Sequence, residues 1–271
     1  AAILVALTVM FPLSHGAVAA APNGTAPNSF ADLAERLLPA VVNISTTQVN
    51  KKSKRTPQLP QFPPGSPFED LFRDFFDRNK PGAEPRKVTS LGSGFIIDAS
   101  GYVVTNHHVI EGASEITVIL QDDTNLKAKL IGRDPKTDLA LLKVEPKKPL
   151  PFVTLGDSSK SRVGDWILAI GNPFGLGGTV TAGIISALKR DINSGPYDSY
   201  LQTDASINRG NSGGPMFNLK GEVIGVNTAI FSPSGGSIGI GFAIPSSQVK
   251  VVIDQLRKYG HTRRGWLGVR I

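Results

Sequence analysis

The sequence predicts an all-β protein, and three of its features point to this fold class. Its 271 residues include 29 glycines and 20 prolines, whereas runs of helix-forming residues are few. Short apolar segments rich in Val and Ile recur from Leu91 onward, separated by turn residues such as Asp98-Ala99-Ser100-Gly101. With 40% hydrophobic and 19% charged residues, the composition is that of a globular protein. Many short strands joined by turns favour β-barrels or a β-sandwich, in one domain or in two small lobes.

Residues 1–20 are typical of a secretory signal peptide. The segment Ala1–Leu13 is apolar, and the small residues after it suit cleavage near Ala19 or Ala20. The apolar run is too short to cross a bilayer as a helix. Neither an initiator Met nor a basic stretch precedes it, so we expect that this segment is truncated at its start. The alternative, a buried helix, is less favourable because Pro12 would interrupt it, and export is therefore expected.

The next elements are a polar tether at 21–28, a short helix and a first strand. Ser29 can cap a helix over residues 30–38, whose apolar side chains fall on one face, and Pro39 ends it. Residues 41–46 then have the pattern of a strand.

Residues 47–87 are predicted to form a long loop, rich in Lys, Gln, Pro and Gly. A loop of this length inside a compact domain is usually functional or disordered. Its aromatic, amphipathic insert at 68–76 either docks on another subunit, covers a cleft or forms a local hydrophobic cluster.

Beyond this loop, strand patterns follow one another closely and a helix is predicted over residues 247–258. The predicted strands are 94–97, 102–105, 115–120, 126–132, 139–144, 166–170, 179–187, 200–203, 215–218, 222–228 and 238–244.

Composition and charge exclude several classes of function. The chain has no cysteine, which excludes disulfides, a thiolate nucleophile and cysteine-bound zinc. The formal net charge of +7 favours solubility or loose attraction to an anionic surface, including a membrane surface. A nucleic-acid partner is not expected, because no basic face with interleaved aromatic residues is evident. No residue cluster suits a metal site, and no cofactor is expected.

Histidine is scarce in this chain, which contains only four. His15 lies in the signal segment and His261 lies in a basic C-terminal stretch, so a histidine base has to be His107 or His108. We place this pair at the end of a strand, where adjacent residues face opposite sides and only one can point into a cleft. Taken alone, such a pair is more often structural than catalytic.

One serine, Ser212, is flanked by glycines on both sides in Gly210-Asn211-Ser212-Gly213-Gly214. Glycines allow a sharp turn with positive φ angles. Such a turn can direct the N–H groups of Gly210, Asn211 and Ser212 into one concavity, as the oxyanion hole of an acyl-transfer enzyme requires. The alternative is a plain glycine-rich hairpin turn.

A serine nucleophile needs a base beside it, and an imidazole base needs a carboxylate that fixes its tautomer. Asp138 is the best candidate, because it stands where a loop enters the apolar strand 139–144. Asp134, beside Pro135, looks like a turn residue instead. The resulting order His, Asp, Ser is one of the three chain orders known for this triad.

Five motifs carry a family resemblance: Thr105-Asn106-His107-His108-Val109, Asp138-Leu139-Ala140, Gly171-Asn172-Pro173-Phe174-Gly175, Gly210-Asn211-Ser212-Gly213-Gly214-Pro215 and Gly239-Ile240-Gly241-Phe242-Ala243-Ile244-Pro245. Together they resemble the Deg/HtrA family of bacterial envelope serine proteases, over roughly residues 29–271. The resemblance implies a chymotrypsin-like double β-barrel with its site in the cleft between the barrels. The family's catalytic histidine directly precedes the Val of its motif, which implies His108 as base and His107 as a bystander.

The resemblance also implies a domain organisation, an assembly and a location. Residues 29–258 would be the protease domain, and 47–87 would be its long regulatory loop. Residues 259–271 would be a linker and the start of a PDZ domain. The loops at 172–178, 189–198 and 229–238 would correspond to loops that order when the protease switches on. Relatives assemble as trimers or larger cages, so a homotrimer or higher homo-oligomer in the periplasm of a Gram-negative envelope is expected, with the helix at Phe30 contributing to assembly.

The specificity pocket is expected near Ser206, Ile207 and the strand from Ile238 to Phe242, which includes Ile240. The strand formed by Thr228, Ala229 and Ile230 is expected to pair with the substrate backbone. No acidic residue lies there to meet a Lys or Arg side chain, and Ile207 and Ile240 would narrow the pocket. We therefore predict cleavage after Val, Ile or Ala. Because such residues are usually buried in folded proteins, unfolded or misfolded polypeptides are the expected substrates. A chaperone that holds unfolded chains in the same cleft is the alternative, and the two activities can coexist.

Overall fold

The structure is a computed structural model that describes residues 27–49, 87–172, 178–208, 210–233 and 236–265. The predicted signal peptide, nearly all of the predicted tether and of the loop 47–87, and the predicted start of a PDZ domain after residue 265 lie outside the described residues.

The first half of the described chain forms a closed antiparallel barrel. Its neighbouring strands follow the order β1-β2-β3-β6-β5-β4, and β4 pairs with β1 to complete the ring. Its core contains Ile44, Val103 and Leu142, all with 0% exposure. The strands are β1 (Val41–Val49), β2 (Lys87–Asp98), β3 (Tyr102–Asn106), β4 (Glu115–Ile119), β5 (Asn125–Asp134) and β6 (Leu139–Val144).

The second half forms another closed antiparallel barrel, in the order β10-β11-β12-β9-β8-β7. Ile167, Ile185 and Met216, also with 0% exposure, lie in its core. The strands are β7 (Trp166–Gly171), β8 (Thr179–Arg190), β9 (Tyr200–Thr203), β10 (Pro215–Phe217), β11 (Val223–Ile230) and β12 (Gly241–Pro245). The all-β double barrel that the sequence predicts is therefore confirmed.

In the described ranges, three α-helices accompany the barrels: α1 (Ala31–Leu37), α2 (His107–Ile110) and α3 (Ser246–Tyr259). The last of these buries one face, including Val249, Val252 and Leu256, and packs across β5, β6 and β11. Gly260 follows the helix and caps it. The φ of Gly260 is 74°, and its N–H donates to the Leu256 carbonyl. Within the described part of the chain, no helix is long and apolar enough to cross a membrane.

Three local predictions differ from the structure. The strand predicted over 238–244 begins only at Gly241, and the histidine pair lies on the helical turn α2 instead of at a strand end. The histidine pair is helical because β3 ends at Asn106 and the chain turns there into α2. The third difference concerns the predicted loop 47–87, because both of its ends are strand. β1 continues to Val49, and β2 begins at Lys87.

One feature of the second barrel is a mismatch in strand length. β10 has three residues and pairs with β11 only between Val223 and Val226, whereas β12 pairs with β11 as far as Ile230. Among the described strands, the last residues of β11 therefore have a neighbour on one side only.

Candidate active site

His108 and Asp138 form a doubly bonded pair on the first barrel. Nδ1 of His108 lies 2.7 Å from Oδ2 of Asp138, and the backbone N–H of His108 donates to Oδ1 at 2.9 Å. The pair joins the first turn of α2 to the residue that precedes β6. The His108 side chain remains 44% exposed, so its ring is held on one edge and open to a ligand on the other.

The turn before β6 holds Asp138 in an unusual backbone conformation. Its φ is 55°, a left-handed value that is uncommon for non-glycine residues, although aspartate tolerates it better than most. Its carbonyl accepts hydrogen bonds from Asn106 Nδ2 at 2.8 Å and from the His107 N–H at 3.1 Å. Both donors come from the junction of β3 and α2, so this junction fixes the histidine and the aspartate relative to each other.

Thr228, on the second barrel, supplies a third bond to the aspartate. Its hydroxyl donates to Oδ2 of Asp138 at 2.6 Å. Thr228 sits at an irregularity of the β11–β12 ladder, where Asn227 pairs with Ala243 but Ala229 pairs with Phe242. A bulge of this kind redirects a side chain, and here the redirected hydroxyl links the two barrels at the site.

The surroundings of Asp138 keep it ionised. Burial opposes its charge, but the hydrogen bond and charge of His108, together with the Thr228 hydroxyl and the His108 N–H, hold its pKa below the usual value. An ionised carboxylate is an acceptor only, so Nδ1 of His108 carries the proton. Nε2 of a neutral His108 is then free to accept one.

Ser212 belongs to a loop that is bonded to both barrels. Its carbonyl accepts from the Ser93 N–H of β2 at 2.9 Å, and the next N–H, that of Gly213, donates to the Asn227 carbonyl of β11 at 2.8 Å. Because Asn227 precedes Thr228, the serine loop is one residue away from the hydroxyl that holds Asp138. No hydrogen bond joins Ser212 Oγ to His108 among the residues that the structure describes.

Gly213 shows how closely this loop approaches the first barrel. Its φ is 85°, and a Cβ there would lie 2.2 Å from the Ser93 carbonyl oxygen and 2.3 Å from Thr105 Oγ1. Only glycine fits such a position, which explains the glycine after the serine physically.

Of the three N–H groups expected to form an oxyanion hole, Asn211 has another partner. Its N–H donates to the Asn208 carbonyl at 3.0 Å, so it is not directed at a ligand. For Gly210 and Ser212, no N–H partner is found in the described ranges. These two groups are separated by one residue and remain available to an anion.

His107, the neighbour of His108, is buried. Its side chain is 10% exposed, and Nε2 lies 3.7 Å from Glu111 Oε1. The argument from strand alternation does not hold, because both histidines lie on α2, where His107 is buried and His108 is 44% exposed.

The residues predicted to form a specificity pocket fall into distinct environments. Ile207 is 2% exposed and belongs to the core of the second barrel, and a Cβ on Gly241 would lie 2.8 Å from its Cγ1. Ser206 is exposed, with its carbonyl accepting from Thr181 Oγ1 at 3.1 Å. Ile230 packs at the margin of the same core, and Ile240 accepts from the Phe231 N–H at 3.0 Å. Ala229 is paired in the ladder opposite Phe242.

The sequence suggested that Asp134 is a turn residue, but the structure shows that it also forms a buried ion pair. It is buried, accepts from Thr137 Oγ1 at 2.6 Å, and forms an ion pair with Arg264, which also stacks over Tyr197 at 4.5 Å. Burial opposes ionisation of Asp134, but the Arg264 and Thr137 hydrogen bonds hold its pKa below the usual value. The turn that carries Asp138 is thus fastened to the segment after α3, a link that no local pattern indicates.

In the part of the chain that the structure covers, no three His, Asp or Glu side chains are grouped so as to hold an ion.

Comparison with known proteins places these residues in a family. The family described as Trypsin-like peptidase domain matches residues 92–226. A protein of Brucella suis biovar 1 (strain 1330), named as a DegP-like periplasmic serine endoprotease, is 53% identical over 264 residues, which cover 89% of this chain and 52% of that protein. A protein of Pseudomonas putida (strain GB-1) with the same name is 51% identical over 266 residues, covering 96% and 55%. The location in these names agrees with the periplasmic location predicted from the sequence.

Solved structures agree with this placement. The HtrA-type protease AlgW with a tripeptide is 44% identical with a TM-score of 0.73, covering 89% of this chain and 68% of that one. The same protease with a decapeptide is 44% identical with a TM-score of 0.72, covering 89% and 71%. The present chain spans about half the length of the curated relatives that it matches.

Proposed function

Because this chain belongs to the HtrA-type family of trypsin-like serine endoproteases, we propose that it is a serine endopeptidase with Ser212 as nucleophile, His108 as general base and Asp138 as orienting carboxylate. The observation that carries this proposal is the hydrogen-bonded chain from Thr228 through Asp138 to His108, beside a serine loop with two available N–H groups. Substrate class, assembly and specificity below are parts of the same proposal.

The reaction would proceed through an acyl-enzyme. As Ser212 Oγ attacks the scissile carbonyl carbon, His108 Nε2 takes the hydroxyl proton, and the imidazolium formed is stabilised by ionised Asp138. His108 then gives this proton to the leaving amine. In the second half of the reaction, water attacks the acyl-enzyme ester while His108 takes a proton from it. The proton then passes to Ser212 Oγ, and the acid product leaves. Ser212 Oγ and His108 Nε2 must come within hydrogen-bond distance before the first step.

The two N–H groups of Gly210 and Ser212 would stabilise the negative charge that develops on the carbonyl oxygen. Fixed donors of this kind cost nothing to reorganise during the reaction, and one of them is worth about 3–4 kcal/mol of barrier.

Substrate would bind in an extended conformation along the end of β11, with its side chain entering a pocket beside Ile230 and Ile240. No acidic side chain is among the pocket residues, so a small or β-branched aliphatic residue is the proposed preference. Such residues are accessible in unfolded or misfolded polypeptides, which are the proposed substrates in the cell envelope.

Labelling with a fluorophosphonate probe tests this function. Wild-type chain is expected to acquire one adduct on Ser212, and Ser212→Ala is expected to acquire none. A matched control, Ser159→Ala, removes an exposed serine hydroxyl on another loop and should label like wild type. Undiminished labelling of Ser212→Ala would remove Ser212 from its role.

A chaperone activity is the second candidate, supported by exposed apolar side chains where β11 and β12 meet. Phe231 is 60% exposed and Ile238 is 50% exposed. Ser212→Ala should still suppress aggregation of an unfolded protein, and Phe231→Ser combined with Ile238→Ser should weaken that effect. If the two apolar side chains make no difference to aggregation, this second candidate fails.

A homotrimer or larger homo-oligomer is the proposed assembly. Sedimentation velocity of the purified chain measures it directly, and a monomer across the micromolar range would contradict it.

A further inference from the structure

Ser93 of β2 touches the serine loop from the opposite barrel. Its hydroxyl donates to the Gly210 carbonyl at 2.6 Å and accepts from the Asn172 N–H at 2.8 Å. Its own N–H donates to the Ser212 carbonyl at 2.9 Å. The side chain is 0% exposed, so no water competes for these contacts. One buried residue therefore binds the two carbonyls that flank Asn211.

Three further backbone groups of the loop also have partners. The Asn211 N–H donates to Asn208, the Asn211 carbonyl accepts from the Gly214 N–H at 2.9 Å, and the Gly213 N–H donates to Asn227. Because buried backbone groups require partners, this pattern fixes the orientation of each peptide in the loop. The N–H groups of Gly210 and Ser212 are those left over in the described part of the loop.

Building on the proposed proteolytic function, we propose that Ser93 is a positioning residue for the oxyanion hole. Its hydroxyl holds the Gly210–Asn211 peptide with the carbonyl turned towards β2, and this orientation keeps the neighbouring N–H groups directed at the substrate oxygen. Without the hydroxyl, the half-buried Gly210 carbonyl loses its partner, and the peptide rotates to find another. Ser93 contacts no reacting atom, so its effect on catalysis passes through the loop.

Ser246, the first residue of α3, offers a matched control. This serine is also 0% exposed, and its hydroxyl donates to the Gly156 carbonyl at 2.8 Å and accepts from the Ser158 N–H at 3.0 Å. Ser93→Ala and Ser246→Ala therefore each remove one buried hydroxyl with one carbonyl and one N–H partner. They should lower the melting temperature similarly, which separates a structural effect from a catalytic one.

Peptide cleavage by the purified chain is expected to distinguish the two variants. Ser93→Ala should lower kcat about 10²-fold, the loss typical of one oxyanion donor, with little change in KM. Ser246→Ala should keep the wild-type kcat when assayed well below its melting temperature. Ser93→Cys keeps the bulk of the side chain and a weak donor, so its kcat should fall less than that of Ser93→Ala. It also provides a folded comparison if the alanine variant is too unstable.

A peptide aldehyde gives a readout that a purely structural role would not move. Ser212 adds to the aldehyde, and the oxygen of the adduct occupies the oxyanion hole as in the transition state. Its affinity should fall in Ser93→Ala by about the same factor as kcat/KM, while the affinity for the product peptide acid stays unchanged. Equal kcat in Ser93→Ala and Ser246→Ala, or a loss of kcat without a loss of aldehyde affinity, would overturn the inference. Failure of the wild type to cleave would instead overturn the proposed function.

Discussion

Removing the Arg264 side chain should destabilise the protein strongly, because it leaves a buried charge without its partner. The Asp134 side chain is 3% exposed and that of Arg264 is 25% exposed. Breaking such a buried pair by removing one member typically costs about 3–5 kcal/mol. For a domain of this size each kcal/mol shifts the melting temperature by roughly 2–4 °C, so Arg264→Gln should melt about 6–20 °C lower.

This effect should depend on pH in a defined direction. The folded-state pKa of Asp134 lies below its unfolded value of 3.8, so its contribution to stability is complete above that value. It is lost as the pH falls from 3.8 through the folded-state pKa. The difference between wild type and Arg264→Gln should accordingly be largest near pH 7 and should shrink below pH 3.8.

Differential scanning calorimetry on four proteins tests the reasoning: wild type, Arg264→Gln, Asp134→Asn and the double variant. The double variant should be more stable than the sum of the single effects predicts, because neither charge is then left alone. Arg162→Gln is the control, since its ion pair with Asp165 lies at the surface and is worth little. An Arg264→Gln variant that melts like Arg162→Gln would refute the argument.

Three further outcomes are expected. Thr228→Val should lower kcat about tenfold, since it removes a charge-assisted hydrogen bond to Asp138, while Thr228→Ser should retain activity; steady-state kinetics would refute this if both variants behave alike. Gly213→Ala should lower both activity and stability. At Gly164, φ is 93° but a Cβ would meet open space, so Gly164→Ala should lower the free energy of unfolding in urea only by the roughly 1–3 kcal/mol of backbone strain. Ile240→Ala should shift casein cleavage about tenfold towards larger residues, and an unchanged pattern of cut sites by mass spectrometry would place the pocket elsewhere.

The sequence alone was enough to predict most of the strands approximately and to single out the residues that are proposed to react. Strand patterns are local, since apolar residues alternate or cluster within a few positions, and β3 and β6 lie close to where they were predicted. His108, Asp138 and Ser212 could be singled out because they are rare or stand in unusual contexts. The structure brings the first two together, and it brings the loop of the third next to them.

What the sequence could not indicate are contacts between segments that are distant along the chain. The bonds from Ser93 to Gly210, from Thr228 to Asp138 and from Arg264 to Asp134 span 117, 90 and 130 residues. None follows from periodicity or turn chemistry, because each depends on how one barrel meets the other or how the segment after α3 returns. The helical turn at His107 was missed for a related reason, since its four residues are shorter than any helical pattern that can be recognised.

The unequal lengths of β10 and β11 carry a consequence for solubility as well as for recognition. Closed barrels hide their backbone donors and acceptors, which protects a protein from sticking to copies of itself. Among the described strands, the end of β11 beyond Asn227 is a short exception, because it pairs with β12 on one side only and is too short to extend into a larger sheet. The proposed binding of unfolded substrates would therefore use a strand edge that is too short to become part of an aggregate.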